Sequence, residues 1–200
     1  MVVAEDTLIK QELQSRKLAA PGDEILIRHQ SQGLFTLYRA DLRKEKKVYR
    51  SYIVKQVDSG EMGRLEADGL QAIGSTGCAV PSTHGIIESR GRSFLIMDFV
   101  ETGAKRAGQA SFEENLRRLY AERQPSYGWK EANYIGTLSQ PNAWHDRFAD
   151  FWWQDRILPQ VEMAINRGFF KSADRKSMES LVFRLSEAWK LDDFGPRMVH

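Results

Sequence analysis

Apolar residues fall in short runs through the first half of the chain and at helical spacing through the second. Leu8, Ile9, Leu13 and Leu18 share roughly one side of a predicted helix over 7–18, which Pro21 and Gly22 end. Residues 24–29 are apolar and β-branched and predict a strand. A polar turn follows over 30–33. A second strand over 34–42 alternates loosely around Phe35, Leu37 and Ala40. The charge run 43–47 reads as a solvated hairpin tip. A third strand runs over 48–57. Met62, Leu65, Ala72 and Ile73 lie at helical spacing over 61–75, and Gly74 and Gly77 bracket the end. Val80 precedes Pro81 and is therefore extended. Residues 85–89 and 93–100 predict a hairpin around Arg90-Gly91-Arg92. Its second arm, Phe94 to Val100, is nearly all apolar, as an interior strand is.

Past Glu101 the pattern changes. Residues 102–108 read as a linker. Ser111 and Glu114 have capping-box spacing at the head of a helix whose apolar face is Phe112, Leu116, Leu119 and Tyr120. Residues 125–142 read as loop. One long amphipathic helix is predicted over 144–166, kinked at Pro159. Its aromatics Phe148, Phe151, Trp152 and Trp153 are core in the simplest reading; a tryptophan there could also wall a sugar site. A last helix over 172–191 turns Met178, Leu181, Val182, Leu185 and Trp189 inward. The expected class is α+β: a β-rich lobe over 1–100 carrying the helix 61–75, then a helical half over 101–200.

Composition narrows the function. Twenty-nine basic residues against 27 acidic ones leave a net charge of +2. This balance argues against nucleic acid as a partner. One cysteine, Cys78, precludes an internal disulfide framework and suggests a reducing compartment. Charges break up residues 1–18, and no stretch approaches the roughly 20 apolar residues of a spanning helix. The expectation is a soluble cytoplasmic protein without a membrane partner. His29, His84 and His145 show no metal-ligand spacing.

The chemistry centres on Lys55, in the third strand, and Glu66, in the helix after it. A lysine in a strand is by default a solvated edge residue. A strand lysine paired with a helix glutamate is also the arrangement of a kinase-like nucleotide site.

Four blocks extend the comparison: Glu66-Ala67-Asp68-Gly69-Leu70; Val80-Pro81 to Gly85 with Leu95-Ile96-Met97-Asp98; Tyr127-Gly128-Trp129, Asn133-Tyr134-Ile135-Gly136-Thr137, Gln140-Pro141-Asn142 and Trp144; and Phe151-Trp152 with Arg156-Ile157-Leu158-Pro159-Gln160. On these the sequence resembles the fructosamine kinase (ketosamine-3-kinase) family, with a protein-kinase-like, aminoglycoside-phosphotransferase-like fold. The resemblance implies a β-rich N-lobe and the first helices of a truncated C-lobe. It implies ATP-dependent phosphorylation of a sugar hydroxyl on a ketosamine, fructosamine or ribulosamine, free or protein-bound, as in protein deglycation repair.

For the site, the resemblance implies that Lys55 reaches the α/β-phosphates, held by Glu66. Adenine would hydrogen-bond the backbone at Met97, Asp98, Phe99 and Val100. The turn at Gly33 would lie over the phosphates, although it is poorer in glycine than kinase loops and an ordinary hairpin turn is the other reading. Trp129, Asn133, Gln140 and Asn142 would shape the acceptor cleft. Leu119-Tyr120 departs from the family's Leu-His. His200 aligns with the histidine that opens the catalytic loop, so the aspartate base and the Mg²⁺ ligands are expected beyond it. No catalytic or metal residue is then expected within the chain, and little activity from it alone. The alternatives are a non-catalytic nucleotide- or partner-binding fragment, and a kinase for another hydroxyl compound such as an aminoglycoside or choline.

Overall fold

A computed structural model of the protein describes residues 5–31, 33–101 and 108–198. The chain divides into two compact units, one of Met1–Ser75 and Ala79–Gly108, the other of Thr76–Cys78 and Gln109–His200. The sequence pattern predicts a boundary near 101. The second unit also takes in the short segment at 76–78, for a reason in its hydrogen bonds. The Cys78 thiol donates to Asn115 O at 2.9 Å and Arg118 Nη1 donates to Gly77 O at 2.8 Å.

The first unit is built on five antiparallel strands, β1 (Glu24–Ser31), β2 (Thr36–Lys44), β3 (Lys47–Val57), β4 (Thr83–Ser89) and β5 (Arg92–Asp98), in the order β1-β2-β3-β5-β4. Strand periodicity separates its two faces. Tyr38, Ala40 and Leu42 of β2, Tyr52 and Val54 of β3 and Phe94 and Ile96 of β5 point one way. They pack beneath α1 (Glu5–Ser15), whose Ile9 and Leu13 are fully buried. The opposite face carries Lys55. The charge run between β2 and β3 is a two-residue hairpin turn at Glu45 and Lys46, with φ of 50° and 65°. β2 begins at Thr36, two residues later than its pattern predicts, because residues 33–35 form the turn.

The second unit holds α3 (Gly108–Ala121), a small hairpin of β6 (Asn133–Ile135) and β7 (Leu138–Gln140), α4 (Phe148–Phe151), α5 (Leu158–Asn166) and α6 (Asp174–Ala188). The segment 125–142 contains the β6–β7 hairpin rather than loop alone. Ser111 lies inside α3, which begins at Gly108. Of the linker read over 102–108, Gly108 instead begins α3; residues 102–107 and His200 lie outside the described residues.

The predicted helix 144–166 starts only at Phe148 and is broken by a π-helical segment, Trp152–Ile157, ahead of α5. Proline explains the break. Pro159 has no N–H, and its ring crowds the carbonyl of the residue four earlier. The wider turn relieves this: Leu158 N–H donates to Trp153 O, and Arg156 Nη1 donates to the Asp155 carbonyl that Pro159 cannot use, at 3.1 Å. Trp153, Val161 and Val182 form the buried cluster of this unit. Leu181 and Trp189 are exposed rather than inward. The stripe that α6 buries runs through Met178, Val182 and Ser186; Leu181 lies off it, and Trp189 follows the last helical residue, where Lys190 turns left-handed at φ 52°. Phe112 and Tyr120 of α3 are likewise exposed, while Leu119 is buried. Among the described residues no helix is long and apolar enough to cross a membrane.

Candidate functional site

Lys55 pairs in register with Leu37 on one side and Leu95 on the other, and Ile53 with Met97. Directly paired residues project to the same face. Ile53, Leu95 and Met97 therefore project to the side of the sheet where Lys55 stands; Leu95 is fully buried, Met97 buried and Ile53 half-buried. The helix α2 (Gly60–Ser75) covers part of that side. Ser59 starts this helix: its Oγ accepts from Met62 N at 3.1 Å and its carbonyl from Gly63 N at 3.2 Å. Met62 and Gly63 turn inward, with Ile86 and Val57 close to Gly63. One turn further on, the same side of α2 presents Glu66. Lys55 Nζ donates to both carboxylate oxygens, to Oε1 at 2.8 Å and Oε2 at 2.7 Å. Both side chains are largely withdrawn from water, at 17% and 29% exposure, so the pair is less screened than a surface bridge.

A third residue completes the surroundings of the lysine. Phe35, in the turn before β2, sets its ring 4.3 Å from Lys55 Nζ. Sequence reasoning placed Phe35 in a strand and missed this contact. Its signal was the Leu37–Lys55 register, which brings the start of β2 to the lysine. Gly33 is exposed in the same turn at φ 93°, a conformation that glycine adopts without strain.

At the far end of this face β5 runs out. Asp98 N donates to Ser82 O and Phe99 N to Ser51 O, at 2.9 and 3.3 Å. Met97 is buried and Val100 exposed. The Asp98 carboxylate accepts from His84 Nε2 at 2.8 Å and Arg50 Nη2 at 3.3 Å. Burial pushes the Asp98 carboxyl up, but His84, Arg50 and Ser82 outweigh it and hold it below the usual carboxylate range. Beside it, the Arg39 guanidinium lies 3.9 Å over the Phe99 ring. Arg39 Nε donates to Asp41 Oδ1 at 2.7 Å, and Ser51 Oγ to the same oxygen at 2.6 Å. Neither Arg39 nor Asp41 was picked out from the sequence. The two-residue spacing of these charges, in the strand next to the lysine strand, was the available sign.

The face thus has a cation at one end, an apolar middle and, at the other, the end of β5, past which Val100 is exposed. Among the described residues, no group of three or more His, Cys, Asp or Glu could hold a metal ion.

The other predicted residues assemble in the second unit. Asn133 and Gln140 face each other across the β6–β7 hairpin. Asn142 is buried, and its amide is committed within the chain. Its Nδ2 donates to Glu131 O and Asn133 Oδ1, both at 3.0 Å, and its Oδ1 accepts from Arg156 Nη2 at 2.6 Å. Trp129 is tied to the same residue through its backbone N–H, which donates to Asn142 O at 3.1 Å. Arg156 also donates to Pro141 O at 2.7 Å and lies 4.3 Å over the Phe151 ring. Burial lowers the Arg156 guanidinium from its ordinary value, opposed by the charge of Asp155. Next to it, His145 Nε2 and Asp155 Oδ2 are 3.1 Å apart. This network braces the segment 127–145.

A family model described as fructosamine kinase matches residues 40–200. A probable ketoamine kinase of Enterococcus faecium is 26% identical over 154 residues, 76% of this chain and 54% of that protein. A probable ketoamine kinase of Synechocystis is 34% identical over 127 residues, 59% of this chain and 42% of that one. The chloroplastic protein-ribulosamine 3-kinase of Arabidopsis thaliana is 31% identical, with coverages of 68% and 42%. The chain spans about half the length of the curated relatives it matches. A crystal structure from Haemophilus somnus, provisionally assigned as a fructosamine-3-kinase, aligns with a TM-score of 0.75 at 23% identity, covering 90% of this chain and 60% of that one. One from Thermobifida fusca with the same assignment gives 0.66 at 24%, covering 87% and 60%. These likenesses establish the fold, which is α+β and kinase-like.

Proposed function

The chain belongs to the fructosamine kinase family, and we propose that it binds ATP on the Lys55 face of its sheet and serves transfer of the γ-phosphate to the sugar hydroxyl of a ketosamine, free or on a protein lysine. The Lys55–Glu66 pair carries this reading. In phosphoryl transfer a protein mostly positions the nucleotide and neutralises phosphate charge. Lys55 supplies a fixed cation for the α/β-phosphate oxygens. Glu66 holds its direction, because both carboxylate oxygens grip the ammonium. Ile53 and Met97 supply the apolar wall for adenine, with Leu95 buried behind them, and the backbone past Asp98 supplies polar groups for its edge. Gly33 lies in the turn beside the phosphate end. For Mg²⁺, which the family resemblance implies, the described residues offer no group of three or more His, Cys, Asp or Glu. In the second unit we assign Asn142 to bracing the 127–145 segment, and Trp129, Asn133 and Gln140 to the acceptor side of that segment. A cytoplasmic location accords with a single cysteine.

Two measurements test the proposal, the first on the 200-residue chain. Calorimetry with ATP should show binding, and Lys55→Ala should weaken it about tenfold or more, the worth of a charge-assisted hydrogen bond. Incubation of ATP and fructosyl-lysine with the chain extended to the length of its curated relatives should give the phosphorylated sugar. Binding without transfer would favour a nucleotide-binding module. Transfer to an aminoglycoside or choline in place of fructosyl-lysine would overturn the acceptor.

A further inference from the structure

We infer that the Phe35 ring is a built-in competitor for nucleotide phosphate at Lys55. The inference rests on the nucleotide reading of this face. A lysine ammonium has three N–H groups to donate. Lys55 spends two on Glu66, at 2.8 and 2.7 Å. The Phe35 ring, with its centroid 4.3 Å from Nζ, covers the nitrogen within cation–π range. A phosphate oxygen that approaches Lys55 must therefore replace a partner already in place.

The two partners differ in strength. Glu66 holds through two charge-assisted hydrogen bonds between groups that are largely buried. Phe35 holds through a single cation–π contact, which is weaker. The ring yields first. The backbone around it permits the exchange. Phe35 precedes the first residue of β2, Gly33 in the same turn has φ 93°, and Leu34 between them is 66% exposed. The competition is confined to one end of the ligand. Phosphates meet the ring, whereas the base, against Ile53 and Met97, does not. Phe35 therefore lowers the affinity for ADP and ATP while leaving that for adenosine as it is.

Titration of the full chain with adenosine, ADP and ATP tests this, using the wild type, Phe35→Leu, Phe35→Ala and Lys55→Ala. The Phe35 variants should bind ADP and ATP about three- to tenfold more tightly, the range of one cation–π contact, with adenosine unchanged. A fluorine label placed on the Phe35 ring should shift its resonance with ADP and not with adenosine. Equal or weaker ADP binding by folded Phe35 variants overturns the inference. If the variants do not fold, an unmoved fluorine signal on saturation of the labelled wild type overturns it. ADP binding that is lost in Lys55→Ala but indifferent to Phe35 leaves the nucleotide reading standing and removes only the competitor. Binding by Phe35→Ala alone supports a ring that blocks the site outright. No binding by any variant removes both.

Discussion

Asp41 has no solvent exposure, yet it is a carboxylate on the sheet face that holds Lys55. Burial pushes its carboxyl up, but hydrogen bonds from Ser51 and Arg39 and the charges of Arg39 and Arg28 outweigh this and hold it below the usual range. Arg28 Nη2 stands 3.5 Å from Oδ2, the carboxylate oxygen without a hydrogen bond. Removing such an anion strands its cations. Asp41→Ala should therefore cost about 3 kcal/mol in chemical denaturation, the low end for a broken buried pair because Arg39 and Arg28 keep access to water. Arg39 also stacks on Phe99, so the same variant should weaken ATP binding. Unchanged stability would show that the arginines find water without loss.

Among the elements, the β6–β7 region changes the reading of a motif. Tyr127-Gly128-Trp129 and Gln140-Pro141-Asn142 point, by resemblance, to an acceptor cleft. The structure also gives Gly128 and Asn142 a mechanical reason. Tyr127 and His145 form a bridge with mutual backbone bonds of 2.8 Å. Gly128 follows at φ 139°, where a Cβ would collide with the Ala143 carbonyl oxygen. Gly128→Ala should cost about 2–4 kcal/mol through backbone strain and a displaced bridge. Hydrogen exchange at the Tyr127 and His145 amides should rise with it. The π-helical segment belongs to the same mechanics. Pro159 forces the widened turn, which carries Arg156 to Asn142 and Asp155 to His145.

For the molecule as a whole, acid is the informative variable. Asp41 and Asp98 both titrate below their ordinary range. A carboxylate depressed in the folded state contributes stability that is fully present above its unfolded pKa, about 3.9, and is lost as pH falls through the folded value. Stability should thus be level between neutrality and about pH 5, then drop as pH falls below about 4. The gap in unfolding free energy between the wild type and Asp41→Asn should narrow over that same drop, read by urea denaturation at pH 7 and pH 3. A gap that stays constant would show that Asp41 gives no pH-dependent stability.

Local information made much of this fold legible. A β-branched apolar run marks β1, loose alternation marks β2, and β5 shows itself as the nearly all-apolar run of an interior strand. Lys55 and Glu66 are 11 residues apart, across the end of a strand, a serine-capped turn and about two helical turns, so their meeting follows from local geometry. The sequence by itself therefore determined the strand–turn–helix that carries the pair, and the kinase-like family to which it belongs. What lay beyond it depends on segments that local rules do not bring together. Register across β2 and β3 sets Phe35 on Lys55 and buries Asp41 under Arg39. Close approach of two backbones makes Gly128 necessary. An arginine in a proline-widened turn satisfies Asn142. Propensity and periodicity act within one element, while buried polar groups take their partners from whichever strand or loop packing delivers. The tertiary structure alone decided those partners, and with them which of the charged and aromatic side chains surround the lysine.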